Sequence, residues 1–185
     1  SSFLCSQALA AIRFLQTQKI YKEMVTSFES LSKLISLWEK SKSLEEYLQL
    51  MLNELVKLVP EAQKASIWML DGDIYKCVAV YNYDDEIKNT VFRADEDNYG
   101  PAIGENKVVE LDEAYKLNLE SPQRDLWIKA GVTEPNFIPL VGSVKIGDKR
   151  LVIISLDNFE GKRFSEASKK LLQVFVEILS AFLRK

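Results

Sequence analysis

Apolar residues recur every seven positions through the first forty residues. Phe14, Tyr21, Phe28 and Ile35 share one heptad position, and Thr17, Met24, Leu31 and Trp38 share the position three later. No glycine or proline interrupts the run. The pattern predicts a long helix over 1–40 with a coiled-coil-like seam. Self-association through Phe14, Tyr21, Met24, Phe28, Leu31, Ile35 and Trp38 is one use of that seam. Packing of the helix against its own chain is the other, since Ile20, Val25 and Leu34 widen the stripe.

The pattern changes after "EKSKS". Ser43 and Glu46 have capping-box spacing, and a second helix is expected from there to about Val59, with Pro60 beyond it. Its buried face is Leu44, Leu48, Met51, Leu52, Leu55 and Val59. In "KASIWMLDGDIYKCVAVYNY", two β-rich runs, about 65–70 and 74–83, flank Asp71-Gly72 as a hairpin. Both runs carry apolar residues on successive positions, the mark of strands covered on both faces. Residues 84–107 are polar and punctuated by glycine, and "KVVEL" is a short strand. Ser121-Pro122 is expected to start a short helix containing Trp127, and Gly131 to stop it. "NFIPLV" and "SVKI" then lead to a Gly147-Asp148 turn, and "RLVIISLD" returns. Ser165 can cap a last helix whose apolar arc includes Leu172, Phe175, Leu179 and Phe182.

This order predicts an α+β fold. Five or six antiparallel strands form a central sheet, with the flanking helices on one face. The other face is apolar too and needs a cover, which falls to an irregular lid over 84–131. A long segment lidding a sheet is where a ligand pocket forms. The expected division is 1–40 as a coupling and dimerisation helix and 41–185 as the globular domain.

Composition narrows the chemistry. The chain of 185 residues carries a net charge of -3, so no global field draws it to nucleic acid or anionic lipid. Histidine is absent, which removes the commonest metal ligand and the usual neutral-pH base. Two cysteines, Cys5 and Cys77, make neither a zinc spacing nor a disulfide framework, and a reduced, cytoplasmic setting fits them. No apolar run reaches the ~18 residues that span a bilayer. "DEDNYGPAIGEN" fails as a calcium loop, with Tyr99 and Asn106 where oxygen ligands belong, and "YGPAIG" does not sit in a strand-to-helix phosphate loop.

From about Leu44 to Lys185 the chain resembles a GAF domain, the small-ligand sensor module of signalling proteins. The resemblance lies in the element order, in "NFIPLV" before the turn and "LVIISLDN" after it, and in "RFSEASKKLLQVFVEILSAFL" at the end. The cyclic-nucleotide members resemble one another in an asparagine, lysine, phenylalanine, aspartate, glutamate pattern. Here Asn158, Lys162 and Phe164 stand in order, but Ser168 and Lys169 replace the acidic pair. Bilin and haem attachment in the family use histidine, which this chain lacks, and the free methionine-sulfoxide reductases use lid cysteines, which it also lacks.

What the resemblance implies is a non-catalytic sensor without a fixed cofactor or metal. It would bind an unidentified small molecule and relay its state through the terminal helices of a homodimer. The output module is expected beyond "LSAFLRK", which carries no glycine or proline stop, and a diguanylate cyclase is one such module. The alternative is a ligand-free domain serving as a dimerising spacer. Candidate pocket residues are Asn98, Tyr99, Arg124, Asp125 and Trp127 from the lid. Ser155 joins them as the small polar residue of an apolar strand, where it is either a satisfied core hydroxyl or a pocket group. In that strand Leu151 and Ile153 point one way, and Val152, Ile154 and Leu156 the other.

Overall fold

The computed structural model describes residues 2–184, and within them the side chains of 23–28, 30 and 31 are outside the description. The chain divides into two compact units, Ser1–Ser41 and Lys42–Lys185. The first unit is a single helix, α1 (Ser2–Lys40). Phe14, Tyr21, Ile35 and Trp38 stand exposed on it. The seam residues Met24, Phe28 and Leu31 lie outside the described side chains.

The second unit opens with α2 (Leu44–Leu58), where Ser43 Oγ accepts from Glu46 N at 3.1 Å. Strands β1 (Lys64–Asp71) and β2 (Ile74–Tyr81) follow. Asp71 pairs with Ile74, so the hairpin turns on Gly72-Asp73, one residue later than Asp71-Gly72. Gly72 has φ +65°, a conformation that side-chain-bearing residues resist. The lid then supplies α3 (Asp85–Lys88), β3 (Val91–Arg93), α4 (Gly100–Ile103), β4 (Val108–Glu110), α5 (Ala114–Glu120) and α6 (Arg124–Ala130). Strands β5 (Ile138–Ile146) and β6 (Lys149–Asn158) form the second hairpin, and α7 (Glu166–Leu183) closes the chain.

The sheet has six strands in the order β3-β2-β1-β6-β5-β4, all antiparallel. Helices α2 and α7 cover one face. Leu48, Met51, Leu52 and Leu55 of α2, with Leu172, Phe175 and Leu179 of α7, are buried together with Ile67, Ile154 and Leu156 of the strands. The lid covers the other face, over a cluster that includes Trp68, Tyr75, Cys77, Ile103, Phe137, Val141 and Ile153. Two-sided burial explains the continuous apolar runs of β1 and β6.

The lid contributes both edge strands: β4 is the expected "KVVEL" strand, and β3 is one that the sequence does not announce. β3 pairs with β2, and β4 pairs with β5. A piece as short as β3, set among polar residues, is too brief to set up a readable periodicity. The start of α6 also differs from expectation. Ser121 ends α5 and Gln123 is the N-cap of α6, while Pro122 sits in the turn between them. The stop is at Gly131, in the left-handed region at φ +80°.

Candidate ligand cavity

Between the sheet and the lid lies a partly open cavity of about 70 Å³, room for about two waters or for the buried end of a larger molecule. Its floor is built by strand alternation. On β1, Ser66 and Trp68 face it, and on β6, Ile153, Ser155 and Asp157 do. Leu151 shares that parity, so the period of two that turns Ile153 inward carries Ser155 and Asp157 with it. Phe92 of β3, Trp127 of α6 and Phe137 supply further walls.

The aromatic side is assembled around Trp68. Its ring centroid lies 5.1 Å from that of Phe92 and 6.0 Å from that of Trp127, the second pair edge-to-face at 80°. Each indole N–H is satisfied: Trp68 Nε1 donates to Ser66 Oγ and Trp127 Nε1 donates to Ser121 Oγ, both at 3.0 Å. These bonds fix the planes of the two rings.

The polar side centres on Asp157, 2 % exposed. Ser155 Oγ donates to Asp157 Oδ1 and Tyr83 Oη donates to Asp157 Oδ2, each at 2.6 Å. Burial pushes this carboxyl up to about 6, against the two hydroxyl bonds and the nearby Lys64 charge, which pull it down. Lys64 itself sits outside the cavity wall, its Nζ 5.2 Å from the Tyr83 ring centroid. Burial also raises the Tyr83 and Tyr99 phenols, so both remain protonated. Asn118 of α5 organises the rest. Its amide donates to Tyr99 Oη at 3.1 Å and to the Val132 carbonyl at 2.8 Å, and its oxygen accepts from Asn98 Nδ2 at 3.1 Å. Asp97 accepts from Tyr99 N at 3.0 Å, and burial raises its carboxyl as well.

Of the six residues singled out from sequence, Asn98, Tyr99, Trp127 and Ser155 come together on this cavity. Arg124 and Asp125 do not: they stand exposed in the first turn of α6, outside the wall. At about 100° per residue Asp125 stands roughly 160° round from Trp127 and faces away, whereas Arg124 stands only about 60° from it and reaches solvent at the open first turn of α6. Arg124 therefore brings no charge to the cavity wall. Ser155 answers to both of its readings, being in the wall and satisfied by Asp157.

Sequence reasoning missed Asp157, Tyr83 and Asn118. Asp157 was within reach, as a charged residue on the inward parity of an apolar strand. Asn118 sits in "AYKLNLE", which announces nothing. Asn158, part of the partial cyclic-nucleotide pattern, is a loop organiser 1 % exposed. It accepts from Glu160 N and Lys162 N and donates to the Glu61 carbonyl. Cys77 is buried, and burial raises its thiol to about 12, which holds it as an unreactive thiol at neutral pH. Among the described residues, no three His, Cys, Asp or Glu side chains converge on a point that could hold a metal. No described helix is long and apolar enough to cross a membrane.

The architecture matches solved GAF domains. The GAF domain from an Acinetobacter phosphoenolpyruvate-protein phosphotransferase superposes with a TM-score of 0.65 at 20% identity, over 86% of this chain and 93% of that one. The A. aeolicus nlh2 GAF domain in an inactive state gives 0.62 at 14%, over 88% and 98%. A phycocyanobilin-bound GAF domain from a cyanobacterial phytochrome gives 0.62 at 15%, over 85% and 93%. This chain therefore has the GAF fold. No protein-family profile matches the sequence. No curated protein matches it either.

Proposed function

We propose that this chain is a non-catalytic GAF sensor domain that holds a small molecule between sheet and lid and reports its presence through helical couplings. The observation that carries the reading is the cavity, where aromatic walls meet the buried polar groups of Asp157, Ser155 and Asn118 and the half-buried Tyr83 and Tyr99. A ligand site needs both, an apolar enclosure and a few converging polar atoms. The like-folded domains support the reading by their settings, since one is bound to a chromophore and another comes from a phosphotransferase. A bound molecule acts on the rest of the chain only if it prefers one of two lid arrangements.

The relay in this proposal is a homodimer seam on α1 through Phe14, Tyr21, Met24, Phe28, Leu31, Ile35 and Trp38. The output module is a separate domain of the same protein, a diguanylate cyclase being one candidate. The reading frame around this segment checks that identity directly.

Native mass spectrometry of gently purified protein, followed by thermal shift against a metabolite panel, tests the ligand. A ligand at a hundred times its Kd should raise Tm by about 5–10 °C. Trp127→Ala should erase that shift, whereas Arg124→Ala, at the surface, should keep it. If no compound stabilises the parent and no occupant is detected, the domain is a ligand-free dimerising spacer.

A further inference from the structure

We propose that the cavity selects a compact organic cation, a planar ring bearing an amidinium or ammonium group, with Asp157 as its counter-ion and Trp68, Phe92 and Trp127 as the faces it packs on. The inference rests on the pocket reading above and adds the chemical class of the ligand. Among the described residues, the cavity wall holds two carboxylates, Asp97 and Asp157, and no lysine or arginine. The two carboxylates are not equivalent. Asp97 accepts from the Tyr99 N–H, and Arg150 bears on it from outside the wall. Asp157 is hydrogen-bonded by two neutral hydroxyls, those of Ser155 and Tyr83, and the Lys64 ammonium over the Tyr83 ring acts on it by charge from outside the wall. A carboxylate with that little compensation, closed away from water, calls for a positive partner with N–H donors. Indole and phenyl rings stand in the same wall, and the faces of such rings attract cations. An anionic ligand would meet two carboxylates and no compensating charge in the wall.

Benzamidine, benzamide and benzoate form the probe series, since they share size and shape and differ in charge. Calorimetry on the intact chain should rank benzamidine at least about tenfold tighter than benzamide, with benzoate weakest. Asp157→Asn should collapse the difference between the first two. The ranking on the parent is already decisive, so the test survives a variant that fails to fold. If benzoate or benzamide binds as tightly as benzamidine, the cavity takes ligands but not by charge, and the cation class is wrong. Binding by none of the three also overturns the inference, and the pocket reading falls with it only if the metabolite panel is silent too.

Discussion

Asp157 weakens the fold it belongs to. Its ordinary value is 3.8 and burial pushes it to about 6, so between those values the folded chain keeps a proton that the unfolded chain has released. A carboxyl raised in this way contributes its full stability below the unfolded value and loses it as pH rises through the folded one. The loss amounts to roughly 3 kcal/mol by about pH 7. Asp97 is raised as well, and in the same sense, so the comparison must be with a variant. Urea denaturation of the parent and of Asp157→Asn should diverge: the parent should lose more stability between about pH 4 and about pH 7 than the variant does. Parallel pH profiles would show that the carboxyl titrates normally. Tyr83 and Tyr99 stay protonated across that window and do not confuse it. A buried carboxylate that opposes folding, placed where a ligand would meet it, is better explained by recognition than by stability.

Elements were legible in the sequence to the degree that their period had room to repeat. The hairpins and the long helices α1, α2 and α7 follow from alternation, heptads and capping serines, and Ser165 does accept from Ser168 N. Three- and four-residue pieces such as β3, α3 and α4 have no period, and their places are fixed by pairing with the sheet edge or by packing on it. The cavity inherits that division. Ser155 and Asp157 obey strand parity, whereas Asn118 depends on a helix the sequence does not announce. Close packing between elements was equally hidden. A Cβ built on Gly142 of β5 would stand 2.8 Å from Val176 Cγ2 and 3.2 Å from Leu172 Cγ, on the face covered by α7. Valine is stiff at χ1 in a helix, so α7 itself would have to shift. Gly142→Ala should therefore destabilise the domain by about 1–3 kcal/mol, read as a lower urea midpoint. An unchanged midpoint would mean that the helix moves away at no cost.

At the scale of the whole molecule, α1 poses the largest open demand. Its 39 residues make a rod about 60 Å long, and single helices in water are stable chiefly through what they pack on. Phe14 is 62% exposed, Tyr21 69% and Ile35 51%, all in one heptad position. Apolar side chains repeated along one line at that exposure invite a partner. A second copy of the same helix is the partner that fits, because an identical heptad supplies knobs and holes in matching register. Light scattering on the intact chain should report a dimer. Phe14→Glu with Tyr21→Glu places four charges in a two-stranded seam and should return a monomer with an unchanged thermal transition for 42–185. The separation matters, since a loss of the dimer together with the domain's transition would point to a damaged fold and not to a broken seam. A parent chain that is already monomeric at high micromolar concentration would rule out the seam. The relay would then have to start from the globular domain alone.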